Sequence, residues 1–410
     1  MPDATKPLDQ VQVVTAGGWE DGPPHELFKQ MRRECPVHWS ENIPEYPGEA
    51  GYWSVTRAEE VEAVSKDWET FSSASGITVV SDAVIPLELI QAMFIGMDPP
   101  KHDRLKKLFQ GGFTPRRIGE HEDKIRAITV DVLDRLVGRE RADLVSDVAQ
   151  PVVSRVIGSF MGIPPEDDEP WARLLNSLIA FGDPDLNPNP VESVMEKDIP
   201  LIFERCRVLI EDRRRNPTDD LTSLLVHAEV DGSRLEEHEI VMGFFLLMAA
   251  GNDSTKATYC SAMQALMEHP TQRDLLVEEP ALIPSAVEES LRMFPAFSHF
   301  RRTATKDTDL AGVRIRKGEK VVMWYPSSNR DEERYENPDR FDVTRDPDHH
   351  AFGGGGRHFC LGAALARLEL RILLEETLRS FPAMTVDGDA TYVVSPFANQ
   401  LKTLPVRLSA

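Results

Sequence analysis

Cysteine is scarce: the chain has four in 410 residues, Cys35, Cys206, Cys260 and Cys360, and no C-x-x-C. That spacing suggests neither a zinc ribbon nor a disulfide framework, and a reducing, cytoplasmic setting fits it. No G-x-G-x-x-G opens a helix after a strand, and no multi-Cys run occurs, so no flavin, dinucleotide or iron–sulfur centre is encoded in the chain itself. Positive charge is also short. With 46 basic against 68 acidic residues the formal charge is −22, which argues against nucleic acid as the main partner. Long apolar runs are missing too: the longest, Ile240 to Gly251, cannot span a bilayer. Met1 to Gly22 is polar and bears Gly and Pro, with no basic stretch leading into an apolar one, so it reads as a flexible segment and not as a signal peptide or membrane anchor.

What is present centres on Phe352 to Gly362, which reads Phe-Gly-Gly-Gly-Gly-Arg-His-Phe-Cys-Leu-Gly and runs into the amphipathic stretch Leu361 to Phe381. Four glycines in a row leave a backbone that bends tightly and can lie against a planar ligand. Cys360 stands near the start of the following helix, where exposed N–H groups and the helix dipole favour thiolate, a ligand for a soft metal.

The remaining pattern is mostly helical, with short strands near both ends. Leu27, Met31 and Cys35 mark a helix that Pro36 stops, Val37 to Trp39 and Tyr52 to Val55 alternate like strands, and Glu59 to Lys66 returns to helix. Glu236 to Met267 is the longest helical pattern and should cross the middle of the fold. Its centre, Ala249-Ala250-Gly251-Asn252-Asp253-Ser254-Thr255, places polar groups where the flanks demand burial, and a Ser there can divert a helix hydrogen bond. Glu289 and Arg292, three apart, share one helix face. Val313 to Ile315 and Lys320 to Trp324 read as strands, and Tyr392 to Leu408 as a terminal hairpin bending at Pro396 to Asn399.

Phe352, Gly356, His358, Cys360 and Gly362 resemble the heme-binding loop of the cytochrome P-450 monooxygenases, with Phe352 one residue farther from the cysteine than in most of that family. The same longer glycine run occurs in the branch that ω-hydroxylates methyl-branched lipids, and Phe181-Gly182-Asp183-Pro184-Asp185-Leu186 is similar to that branch in its lid region. The resemblance extends to Ala250-Gly251-x-Asp253-Ser254, where most members have Thr in place of Ser254, to Glu289-x-x-Arg292, and to Pro338-Asp339-Arg340-Phe341. It implies a mainly α fold with small β-sheets, a triangular prism-like helical unit with heme between the long central helix and the Cys-loop helix, formed by 23–410 as one catalytic domain.

By this resemblance Cys360 ligates the iron of heme b (iron protoporphyrin IX), an electron-rich axial thiolate that favours O–O cleavage. Phe352, Gly354 and Gly362 belong to the cofactor loop, and His102, Lys106, Arg302 and His358 are the partners of the propionates. Gly251, Asp253, Ser254 and Thr255 are the expected catalytic group, carrying protons toward O2. Met93, Phe94, Leu247, Ala250, Phe297 and Phe397 are candidates for the substrate wall, an apolar set that favours a lipid or isoprenoid. Glu289, Arg292 and Arg340 are expected to form a structural charge cluster. Electrons are expected from NAD(P)H through an NAD(P)H-dependent reductase and a ferredoxin, steered by Arg104, Lys106, Lys107, Arg116, Arg117 and Arg357. The implied reaction is terminal hydroxylation of a methyl-branched chain such as a terpenoid ester, a branched fatty acid or a sterol side chain. A peroxygenase, which would not need Asp253 and Ser254, and a non-catalytic heme gas sensor or lipid carrier are the competing readings.

Overall fold

A helix that is apolar on nearly every face must be buried, and Glu237–Glu268, the central helix, is. In the computed structural model, which describes residues 12–15, 18–80, 85–179, 183, 185–186, 193–230 and 232–408, it runs through the largest core cluster. A capping box starts it: the Glu236 side chain accepts from the backbone at Glu239, and the Glu239 carboxylate accepts from the Glu236 N–H at 2.9 Å. Around it pack the helices Gln150–Met161, Asp168–Ile179, Ile199–Arg215 and Ala363–Ser380, the last being the Cys-loop helix. The Gln150–Met161 helix stops at Gly162, whose φ of 83° is the left-handed conformation that ends helices. The lid sequence between 180 and 192 lies outside the described residues, apart from Asp183, Asp185 and Leu186.

The main sheet contains β1 (Val37–Ser40), β2 (Tyr52–Val55), β3 (Phe71–Ser72), β4 (His299–Ala304) and β5 (Lys320–Trp324), in the spatial order β1-β2-β5-β4-β3. β5 runs parallel to β2 and antiparallel to β4, and every residue of it is buried. The terminal hairpin differs from expectation. Thr391–Tyr392 pairs with Leu401–Thr403, but Pro405–Arg407 leaves that pair and lies between Thr385–Val386 and Arg141–Asp143. Nor is the described part of 1–22 loose. Trp19 is buried, stacks on Trp324 at 5.6 Å and donates from its indole N–H to the Val13 carbonyl at 2.7 Å. Apolar Val13, Val14 and Trp19 cover one face of the main sheet over Tyr52, Val322 and Trp324, a burial that the polar composition around them hides.

Glu289 and Arg292, both 0% exposed, sit on the helix Ile283–Met293 and meet through two hydrogen bonds of 2.7 and 2.8 Å. The same guanidinium donates to the carbonyls of Asn329 and Pro338, each at 2.8 Å, and so pins the irregular stretch before the Cys loop. The expected third charge, Arg340, is corrected to Arg345. Arg345 Nε lies 3.4 Å from the Glu289 carboxylate, whereas the Arg340 side chain is exposed and faces Asp342 at 3.6 Å. Only the backbone of Arg340 enters the cluster, through its carbonyl.

Replacing Glu289 by Gln leaves a buried guanidinium short of its anion and should cost about 3–5 kcal/mol in denaturant unfolding. Arg340→Ala should stay within about 0.5 kcal/mol, as exposed positions do. Two of the buried histidines show how the acid limb arises. Burial lowers His299 and His350 from 6.5 to about 4. The folded protein therefore refuses protons that the unfolded chain accepts, and stability should be lost as pH falls from 6.5 toward 4. Unfolding midpoints measured across that window check the sign.

Candidate active site

Between the middle of the central helix and the loop that ends at Cys360, the helices do not close on one another. The resulting cavity is lined on one side by Ala250, Gly251, Ser254, Thr255 and Thr258 and on the other by Phe352, Gly353, His358, Phe359, Cys360 and Gly362. Glycine at 251 lets the helix Gln150–Met161 pack closely beside the first wall: a Cβ there would come within 2.9 Å of Ile157. The second wall is a closed loop, the Cys360 N–H donating to the Phe352 carbonyl at 3.0 Å. Gly353, Gly355 and Gly356 have φ of 95°, 87° and 77°, conformations open to glycine without strain. Gly354, expected beside the cofactor, faces the other way. Its Cβ would meet the Val61 carbonyl at 2.9 Å, so the glycine run seats the loop on the helix Ala58–Lys66, where Ser65 Oγ donates to the Gly355 carbonyl at 2.8 Å.

Cys360 is open to the cavity and enclosed by protein elsewhere, so its sulfur faces inward. Burial raises its thiol above the ordinary value, against the lowering effects of the Gly362 backbone, Lys106 and Arg367. The Gly362 backbone at the start of the Cys-loop helix is thus one of the groups that favour the thiolate. His102, Lys106, Arg302 and His358 converge on the same cavity. The rings of His102 and His358 lie 4.2 Å apart, and burial lowers both, His358 to about 2. Arg302 is buried, its Nη1 donates to the Arg301 carbonyl at 2.9 Å, and among the described residues no carboxylate pairs with it. A buried guanidinium with open donors beside a cationic lysine suits an anionic group, and a sulfur opposite suits iron.

The chain matches the Cytochrome P450 family model over residues 186–393. It is 35% identical to the methyl-branched lipid omega-hydroxylase of Mycobacterium tuberculosis over 417 residues, covering 100% of this chain and 97% of that protein. This chain is a cytochrome P450. Linalool 8-monooxygenase of Pseudomonas putida is 32% identical over 94% of this chain and 95% of its own length. A cytochrome P450 of Mycobacterium marinum, solved in complex with pseudoionone, superposes with a TM-score of 0.91 at 35% identity, covering 99% of this chain and all of that one. The protein is thus a monooxygenase of the hydroxylase type with the family's heme-iron cofactor, and the cavity chemistry fits that group. Among the described residues no helix is long and apolar enough to cross a membrane.

Within this P450 the expected site residues divide. Ser254 lines the cavity, but its hydroxyl donates back to the Ala250 carbonyl at 2.9 Å, one turn earlier in the helix. Asp253 does not line the cavity. It is buried on another face of the helix, ion-paired with Lys256, and receives Asn252 Nδ2 at 3.3 Å. Lys256 in turn donates to Gln150 at 2.8 Å. Phe94, Leu247, Ala250 and Phe297 line the substrate side, whereas Met93 is packed in the core and Phe397 stands one layer behind the wall. Adjacent residues on strand-like or turned backbone point opposite ways, which is why Phe94 takes the place expected also of Met93.

Glu369 was not singled out from the sequence. It lines the cavity from the Cys-loop helix, hydrogen-bonds to Thr255, and is pushed up to about 8 by burial. The signal available for it was Leu365-x-x-x-Glu369-x-x-x-Leu373, an acidic residue inside a buried helical stripe. The basic patch is largely spent on internal pairs: Arg104 meets Glu239 at 2.7 Å, Arg117 meets Asp219 at 3.0 Å, and Arg357 pairs with Asp103.

Lys106 Nζ donates to the carbonyls of Arg357 at 2.5 Å and Phe359 at 2.7 Å, and so braces the residues that present the sulfur. Charged hydrogen bonds of this kind are each worth about 1.5–3 kcal/mol. Lys106→Met should therefore speed heme transfer to apomyoglobin by roughly tenfold or more, while Lys107→Met should leave it unchanged.

Proposed function

We propose that this cytochrome P450 hydroxylates the terminal methyl carbon of a methyl-branched lipid or isoprenoid, with electrons from NAD(P)H delivered by a ferredoxin reductase and a ferredoxin. The observation that carries this reading is the character of the substrate wall. Phe94, Ile95, Leu246, Leu247, Ala250, Phe297 and Phe300 line that side, and none of them bears charge. Such a wall accepts a hydrocarbon chain and offers nothing to an amino acid or a sugar. The relatives support the same class: they are named methyl-branched lipid omega-hydroxylase, linalool 8-monooxygenase and steroid C26-monooxygenase.

In this reading Cys360 holds the iron of heme b, while Arg302, Lys106, His102 and His358 hold its two carboxylates. When bound, the heme supplies the oxidation, placing one atom of O2 in the C–H bond and releasing the other as water with two protons and two electrons. The chain's own task is to bring those protons. Ser254, on the cavity, and Asp253, in the polar pocket behind it, stand next to each other in sequence but not on one face. The pair can pass a proton when Asp253 leaves Lys256 or when water joins the two. Thr255 with Glu369 is a second cavity-lining pair able to hold a proton at the pH of the cell.

A sterol side chain ends in the same branched methyl group, and the Rhodococcus jostii steroid C26-monooxygenase, 33% identical over 93% of this chain, keeps that alternative substrate open. A peroxygenase and a non-catalytic heme carrier predict different behaviour with O2. The test is the reduced protein under carbon monoxide, followed by turnover of farnesyl acetate with NADPH, ferredoxin reductase and ferredoxin. Wild type should give the red-shifted thiolate band and a terminal alcohol, and Cys360→Ser should lose both. An unshifted band, or turnover that needs only hydrogen peroxide, would sink the proposal.

A further inference from the structure

His299 lies in β4 between two residues of the cavity wall's surroundings, Phe297 and Phe300, yet it does not line the cavity. It is 1% exposed, and both of its ring nitrogens are engaged. Nδ1 lies 2.9 Å from the Pro396 carbonyl, which can only accept, so Nδ1 carries the proton. Nε2 lies 3.2 Å from the Val79 N–H, which can only donate, so Nε2 is bare. The partners leave one tautomer, and burial keeps the ring neutral.

Those partners belong to two segments that meet the main sheet separately, the first through Arg301, whose N–H donates to the Ile77 carbonyl at 2.8 Å, and Lys320, whose Nζ donates to the Val79 carbonyl at 3.3 Å; the His299 side chain touches both. Val79 is the buried residue of the stretch 77–80, and Pro396 opens the bend 396–399 of the terminal hairpin. The bend is laid along the strand that carries the wall: Ser298 N–H donates to the Phe397 carbonyl at 2.8 Å, and Asn399 N–H to the Ala296 carbonyl at 2.9 Å. The Phe397 ring is thereby placed behind the wall. It stacks on Phe297 at 4.9 Å, stands edge-on to Phe300 at 5.7 Å and touches the imidazole of His299 at 5.6 Å. Trp324 closes the other side of that imidazole at 4.7 Å.

We infer that His299 is a positioning residue for substrate selectivity: by bridging Val79 and Pro396 it holds Phe397 against Phe297 and Phe300, and so fixes the shape of the apolar wall without touching the ligand. The inference rests on the proposed function for the class of ligand, but not for the bridge itself. A wall braced in this way keeps its contour when a bulky branched chain presses on it. An unbraced wall yields, and treats branched and straight chains more alike.

The test uses the full heme-loaded chain as wild type, His299→Ala, His299→Gln and Phe397→Ala. Two readings are taken: amide hydrogen exchange in 77–80 and 396–400, and the ratio of spectral binding constants for farnesyl acetate and methyl dodecanoate. His299→Ala should speed exchange in both segments and shift the binding ratio by about tenfold toward equality, the scale of one misplaced methyl contact. His299→Gln keeps one donor and one acceptor on its amide and should remain within about threefold of wild type in both readings. Phe397→Ala should shift the ratio as His299→Ala does while leaving exchange at Val79 protected.

Loosening of only one segment in His299→Ala, or a ratio unmoved in Phe397→Ala, overturns the inference. If His299→Ala fails to hold heme, Phe397→Ala and His299→Gln still decide it. A wild-type protein that bound neither ester would overturn the proposed function instead, and the exchange comparison alone would then support or overturn the bridge.

Discussion

The constraint on which the rest of the structure depends is that a hollow must be kept open in the middle of a protein core. Atoms facing a void lose the dispersion contacts their neighbours keep, so an unsupported cavity tends to close. Here closure is resisted from outside the hollow. The Glu289–Arg292 pair fixes the stretch that leads into the Cys loop, and the helix Ala58–Lys66 takes the loop on its back. On the opposite side the buried central helix is braced by several other helices. The four groups that face the hollow with charge or a ring nitrogen are therefore held in place before any anion arrives to meet them.

Much of the architecture could be read from residues alone because local pattern and final burial agree. The helix predicted over Glu236 to Met267 spans Glu237–Glu268, and the strands read at Val37, Tyr52 and Lys320 are all in one sheet. Cys360, Ser254, His102, Lys106, Arg302 and His358 meet at one cavity although they are spread over some 260 positions of the chain, which only the family resemblance could foretell. What escaped was side-chain direction. Gly354 faces a helix, Asp253 faces away from Ser254, Phe397 stands behind Phe297, and Arg345 takes the place given to Arg340. A pattern says which residue type is needed near a site. It does not say which way a residue in a turn, or at the polar centre of an otherwise apolar helix, will look.

The polar pocket around Asp253 shows why that direction matters. Gln150 Nε2 donates to Ser154 at 2.7 Å, Ser154 Oγ to Asn252 at 3.2 Å, and the Asn176 amide lies within 3.2 Å of the Asp253 carboxylate. Three helices thus share one buried hydrogen-bond network, and a carboxylate satisfied this fully has little reason to turn toward an apolar cavity. Thr255 and Glu369, by contrast, already face it. Carboxyl groups on the two sides of the central helix thus stand in two different environments, Asp253 ion-paired and Glu369 desolvated.

The seat of the glycine loop has one more consequence. Gly354, Gly355 and Gly356 approach Val61, Ser65 and Lys66 so closely that the sulfur takes its height from that helix, which follows directly on β2. The helix after β2 and the loop that carries the thiol therefore meet through the main chain of three residues without side chains. A side chain at 354 or 356 would meet the main chain of that helix at 2.9 Å, so the loop carrying Cys360 could keep this seat only if the helix gave way.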